Sequence, residues 1–280
     1  MSFGIMGCSA AFAKAAGAKG GKVSDNDFII TTNAEELPLE LSCSGNIIIE
    51  SIYNGETVEQ KYKDLNHGRI SVLSDIGEEI IIHGDLTELY VNNNEDITSI
   101  SSSSFAITNL GINGCTGLNY FDISDCPNLL SIGANNYPLE SIALPDSLKS
   151  LTIDSAINLE SIEFGSHIES VICPRCTKLT ELNLSGRNNL YRLYCNGCDN
   201  VTSLFIDGTP RLIEPNFNSM ESINTIKYGA TNSDVSSAIA GAITNATAAD
   251  GTVYTDSAAD YYQTIADAAT AKGWTIEQLS

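Results

Sequence analysis

The sequence predicts a repeat solenoid of mainly parallel β coils, preceded by a β-rich N-terminal region and closed by an α/β C-terminal cap. Three observations carry this reading. An apolar-x-x-apolar-x-apolar motif returns about every eleven residues between Leu86 and Ile226. The intervals between copies are filled by Asn, Gly, Asp, Pro and Ser, and the apolar period turns helical only after the last copy.

The copies come in two interleaved series. One starts at Leu86, Ile107, Leu129, Leu148, Ile168, Leu190 and Leu212, with steps of 19 to 22 residues. The other starts at Ile97, Leu118, Leu139, Leu159, Leu179 and Val201. Two half-repeats therefore make one coil. A single copy buries only a narrow apolar edge, and stacking on identical neighbours is what closes a continuous core. Positions one, four and six of each copy point inward. Asn113-Gly114, Pro145-Asp146-Ser147, Asn196-Gly197 and Asp207-Gly208 supply turn residues that tolerate left-handed backbone, so both sides of each coil read as strand.

The run from Leu179 to Asn200 and the segment Leu144-Pro-Asp-Ser-Leu-Lys-Ser-Leu151 resemble the roughly 21-residue leucine-rich repeats of bacterial surface and bacteriophage proteins. The resemblance covers about half the chain. It implies a leucine-rich-repeat solenoid that serves as a binding surface for protein or glycan, with a virion as one setting. The ending Ala269-Thr-Ala-Lys-Gly-Trp-Thr-Ile276 resembles the closing segment of the same proteins, which implies a C-terminal cap.

Four segments follow from this pattern. Residues 1–22 are small, apolar and lightly basic, and read as a flexible tail. No Lys or Arg precedes Lys14, and Gly4 and Gly7 interrupt the apolar residues. No secretory signal is therefore recognised, and the chain is expected to be cytoplasmic at synthesis. In a virion this N-terminal region would be the segment for docking or oligomer assembly, and the alternative function is a structural or assembly protein that acts through it with the solenoid as a spacer. Residues 23–84 hold strand-like runs at Asp27–Thr32, Leu37–Leu41, Asn46–Tyr53, Thr57–Tyr62, Arg69–Leu73 and Glu79–His83. Asn54-Gly55 between two of them signals a hairpin. Residues 85–228 are the solenoid. Residues 229–280 are the cap, with helical periodicity over Ser233–Ala248 and Ser257–Lys272. Asn232 or Ser233, and Asp256 or Ser257, read as N-caps, and Trp274 as a packing anchor.

Composition narrows the partners. A formal net charge of −21 repels nucleic-acid phosphate and anionic lipid, and 42% hydrophobic content is ample for a core. Six of the eight cysteines, Cys115, Cys126, Cys173, Cys176, Cys195 and Cys198, follow the repeat rather than a pairing scheme. Cys173-Pro-Arg-Cys176 and Cys195-Asn-Gly-Cys198 have a zinc-ribbon spacing. Their offset of 22 residues is nevertheless one coil, and Cys173 and Cys195 fall on the inward sixth position. They read as core thiols, with no metal and no cofactor; a zinc-binding protein at the paired CxxC motifs is the second alternative reading. His167-Ile-Glu169 before Cys173-Pro-Arg-Cys176 imitates a zinc-deaminase signature, but the proline follows the first cysteine and Ile168 is a repeat start. With only His67, His83 and His167, and no nucleophile elbow or phosphate loop, no catalytic constellation forms and no enzyme is expected.

The exposed columns are the remaining signal. The series starting at Ile97 displays Asp122, Glu140, Glu160, Glu163 and Glu181, an acidic face. The series starting at Leu86 displays Tyr90, Leu130, Lys149, Ile172, Tyr191, Arg192 and Tyr194. Aromatic and Arg side chains on a rigid sheet have the composition of interaction hot spots. Tyr90, Lys149, Ile172, Tyr191, Arg192 and Tyr194 are therefore the predicted partner-binding residues.

Overall fold

The computed structural model describes residues 26–229, 233–255 and 262–279. The expectations for residues 1–22 and for N-capping side chains at Asn232, Ser233, Asp256 and Ser257 lie outside what it describes. The chain opens with β1 (Phe28–Thr32), β2 (Glu36–Tyr53), β3 (Glu56–Lys63), β4 (Gly68–Leu73) and β5 (Glu79–Tyr90). Short strands follow at half-coil intervals: β6 (Ile97–Ser102), β7 (Asn109–Gly111), β8 (Tyr120–Asp122), β9 (Ser131–Gly133), β10 (Ser141–Ala143) and β11 (Ser150–Thr152). The series continues with β12 (Ser161–Glu163), β13 (Ser170–Ile172), β14 (Glu181–Asn183), β15 (Arg192–Tyr194), β16 (Ser203–Ile206), β17 (Glu214–Asn216) and β18 (Thr225–Tyr228). The end is α1 (Ser233–Asn245), β19 (Thr252–Thr255), α2 (Tyr262–Lys272) and β20 (Thr275–Gln278).

The molecule is β-rich, with regularly repeated strands stacked in parallel. Odd-numbered strands β5 to β17 form one unbroken parallel ladder, the first face. Even-numbered strands form the second face, which is interrupted. Here β6 pairs β8, β10 pairs β12, and β14, β16, β18, β19 and β20 pair in succession. The central residue of each strand enters the core: Leu89, Leu110, Ile132, Leu151, Val171 and Leu193 on the first face are all buried. Partly exposed Phe121, Leu139, Leu144 and Ile162 on the second face depart from the inward rule, all beside its interruptions.

Three ladders reinforce the corners. Asn93, Gly114, Asn136, Ser155, Arg175, Gly197 and Ser219 all have positive φ, at equivalent points after the first-face strands. Apart from Ser219, each donates its amide to a carbonyl of the next coil, from Asn93 to Asn113 at 2.7 Å through Gly197 to Asn218 at 2.9 Å. Beside them Asn113 Nδ2 reaches Asn92 Oδ1 at 3.0 Å, and the Asp154 amide reaches Asn135 Oδ1 at 2.8 Å. The third ladder is sulfur. The Cys115, Cys126, Cys176 and Cys198 thiols donate to the carbonyls of Val91, Ser102, Ile153 and Cys173 at 3.0 to 3.3 Å. A thiol is small enough to sit inside the turn and still satisfy a carbonyl of the previous coil.

The N-terminal region is continuous with the stack of repeated strands. The boundary read at residues 84/85 falls inside β5, which pairs with β7 through Leu89 and with β2 along most of its length. The runs at Leu37–Leu41 and Asn46–Tyr53 are one strand, β2, whose register against β5 shifts between Ser42 and Ile47. Gly84 makes this bulge possible. Its φ is +101° and a Cβ there would stand 2.3 Å from the Asn46 carbonyl oxygen. Asn54 and Gly55 form the hairpin turn with φ of 54° and 73°, and Asp75 accepts both of their amides at 2.9 and 2.8 Å. Strand β1 runs antiparallel between β5 and β6, joining the first strands of the two faces. At the other end α1 and α2 replace the first-face strands while β19 and β20 extend the second face. Trp274 is 5% exposed and donates Nε1–H to the Ala248 carbonyl at 3.2 Å. No helix of the described residues is long and apolar enough to cross a membrane.

Candidate interaction surface

On the first face three outward columns result from the register. One runs Glu88, Asn109, Ser131, Ser150, Ser170, Arg192, Glu214. The next runs Tyr90, Gly111, Gly133, Thr152, Ile172, Tyr194, Asn216. The residue before each strand forms the third column, which contains Leu130, Lys149, Glu169, Tyr191 and Ile213.

This arrangement gathers four of the six predicted residues. Ile172 and Tyr194 are register partners on β13 and β15, and Arg192 shares β15 with Tyr194. The Arg192 guanidinium carbon lies 5.4 Å from the Tyr191 ring centroid and 5.6 Å from that of Tyr194. Its Nε–H donates to Glu214 Oε2 at 2.6 Å, and the Tyr194 hydroxyl lies 3.4 Å from the same oxygen. Hydrogen bonding to Arg192 holds the Glu214 carboxyl below its ordinary range, and Glu214 correspondingly raises Arg192. Both rings and the guanidinium are thus fixed before any partner arrives, which lowers the ordering cost of contact.

The other two predicted residues stand apart. Tyr90 is on β5, five strand steps from β15, or roughly 24 Å at the usual spacing. Its ring stacks on His67 at 6.0 Å. Burial, then Glu88 and Glu40, push its hydroxyl pKa up. Around it His67 Nδ1 lies 3.3 Å from Glu40 and Nε2 3.5 Å from Glu88, while Ser42 and Asn109 hold the Glu88 carboxylate at 3.0 and 2.9 Å. Tyr90 therefore belongs to the seam between β2, β4 and the first coil. Lys149 is paired to Glu169 at 2.9 Å, and Glu169 stands between it and Tyr191 in the column.

Two groups were missed by the reading of the residues. Ile213 is 57% exposed and follows Tyr191 in the third column, its amide bonded to the Tyr191 carbonyl at 3.0 Å. The repeat start at Leu212 marks it as an outward position, but the weak match of that copy hid the strand. The second face carries the predicted Asp122, Glu140, Glu160, Glu163 and Glu181, yet its acidity does not extend to the end. Phe205, Lys227 and Tyr254 are successive register partners there. Lys227 Nζ lies 5.0 Å and 5.6 Å from the two ring centroids.

The cysteine pairs are core. Cys173, Cys176, Cys195 and Cys198 are fully buried, with Cys195 Sγ 3.7 Å from Met220 Sδ. Burial drives the Cys195 thiol well above its ordinary value, and its hydrogen bond with Cys198 together with burial does the same for Cys176. The thiolate, the form that binds zinc, is disfavoured at both positions. Among the described residues no group of three or more His, Cys, Asp or Glu side chains is placed to hold a metal ion. His167 lies on an exposed turn with its Nδ1 3.2 Å from Asp146 Oδ2, engaged with the turn of the preceding coil.

No family model, curated protein or solved structure matches this chain. The surface is accordingly read on its own chemistry.

Proposed function

We propose that this chain is a non-catalytic binding module of the bacterial or bacteriophage leucine-rich-repeat kind, in which the Ile172, Tyr191, Arg192, Tyr194 and Ile213 end of the first face engages a protein or glycan partner. The observation that carries this reading is the guanidinium of Arg192 held over both tyrosine rings and anchored on Glu214. Exposed Ile213 beside it gives the patch the aromatic, Arg and aliphatic composition of a binding hot spot on a rigid frame. The net charge of −21 directs the choice away from nucleic acid and anionic lipid. A virion component displayed to a bacterial surface is the setting consistent with the repeat type.

The test is binding of the fluorescently labelled full chain to intact bacterial cells. Tyr191→Ala combined with Tyr194→Ala is expected to raise the apparent Kd at least tenfold, about 1.4 kcal/mol, with melting unchanged. Unaltered binding by this double variant would remove the first face from the function.

A further inference from the structure

The second face opens where the first does not. Strands β7, β9 and β11 pair without interruption, but β8 and β10, on the same coils, do not pair. Their separation has a local cause. Tyr137 is 2% exposed, with its ring edge-to-face on Phe121 at 5.7 Å. Its hydroxyl donates to the Ser141 carbonyl at 3.2 Å, and Pro138 follows with no amide to offer. Tyr137 thus fills the turn position held by Cys115, Ala156, Cys176 and Cys198 in other coils, and Phe121 the strand-centre position held by Ile100, Ile142 and Leu182. The second interruption, between β12 and β14, is bridged by Arg187, which donates Nη2–H to the Phe164 carbonyl at 2.9 Å and Nη1–H to the Ser185 carbonyl at 2.8 Å. The first interruption remains a cleft of about 570 Å³.

We infer that this cleft is a binding site for one neutral pyranose unit of a glycan. Its volume is that of a small-molecule site. Tyr120, 39% exposed, is among the lining residues, and an aromatic ring there can receive the C–H side of a sugar ring. Phe121, Pro138 and Leu139 supply the apolar minority of a mainly polar lining. Asn119, Glu140, Ser141 and Asn158 approach from both edges as the polar rim. Asn158 is pre-oriented, its Nδ2 donating to the Pro138 carbonyl at 3.1 Å. Carboxamides and a hydroxyl both donate and accept, matching the alternating demands of neighbouring sugar hydroxyls. Glu140 is the single carboxylate of the lining, too few to hold a hard metal cation. Anionic ligands meet Glu140 together with Asp122, Glu160 and Glu163 on the surrounding face, all carrying the same charge.

The experiment is saturation-transfer NMR on the full chain with methyl glucoside, methyl galactoside, methyl mannoside and N-acetylglucosamine. Sialic acid serves as the anionic competitor and tetramethylammonium as the cationic one. Saturation of at least one neutral pyranoside is expected. Tyr120→Ala should weaken its Kd at least tenfold, as should Ser141→Tyr, which fills the cleft from β10. Both positions face solvent, and an unchanged melting temperature certifies each variant. Tyr191→Ala, on the opposite face, should leave the signal intact even where it abolishes cell binding, which separates this site from the first-face surface. The inference is overturned by silence from all four neutral sugars, by equal signal in both cleft variants, or by tighter binding of sialic acid or tetramethylammonium.

Discussion

Arg192 and Glu214 are direct register partners on β15 and β17, joined at 2.6 Å, and this pair positions both tyrosines of the candidate surface. Because folding holds the Glu214 carboxyl below its ordinary value of 4.5, whatever the pair contributes is complete above that value and disappears as pH falls through the depressed one. Carboxyl ¹³C titration of Glu214 should give a midpoint below 4.5, returning toward it in Arg192→Ala. A midpoint that does not move would show that Arg192 is not what lowers it.

The core makes a second prediction. Leu193 is fully buried at the centre of β15, between Val171 and Pro215 in the ladder. Leu193→Ala removes buried methyl groups and leaves a cavity that flanking coils cannot close, at a cost of about 3 kcal/mol. Urea denaturation should show this as a lower midpoint at unchanged slope.

Backbone conformation gives predictions of opposite sign. Gly84→Ala places a methyl group against the Asn46 carbonyl in a left-handed conformation and should cost at least about 2 kcal/mol. Ser219→Gly relieves a non-glycine residue at φ 59° and should stabilise by about 0.5 kcal/mol after the added freedom of the unfolded chain is counted. Thermal melts of the two variants on either side of the parent check both signs.

The thiols respond to alkali. Burial lifts the Cys115 thiol from 9.0 to about 11, while the unfolded chain ionises near the lower value. A raised folded value stabilises fully below pH 9.0 and loses that contribution as pH climbs toward 11. Stability should therefore decline through this window, less steeply in Cys115→Ala. Alkylation of Cys173, Cys176, Cys195 and Cys198 should proceed at the rate of unfolding and be indifferent to a zinc chelator. Rapid alkylation triggered by the chelator would restore a metal role.

The period, the inward positions and the paired strand faces were legible because stacking imposes them on every copy. Cys173 and Cys195 could be assigned to the core from the same column logic. The placement of β1 was not legible, since Phe-Ile-Ile-Thr-Thr names no partner. Nor was the wedge at Tyr137, where one aromatic side chain in a turn changes a pairing several residues away. Of the candidate surface, Ile172, Tyr191, Arg192 and Tyr194 followed from column membership. Tyr90 shares the column of Ile172 and Tyr194, but its separation from the patch was not legible, because the His67 ring that stacks on it comes from a turn more than twenty residues earlier in the chain.

The position of β1 sets the schedule on which a ribosome can deliver this protein. Phe28 to Thr32 leave the exit tunnel before either partner, with Phe28 and Ile30 destined for full burial, since one neighbouring strand ends at Tyr90 and the other at Ser102. Until about sixty further residues have been translated the newborn strand has both edges vacant, and one edge stays vacant until about seventy have been. The nascent chain is then exposed to self-association in a way the finished molecule is not, and slower elongation before residue 102 lengthens that interval.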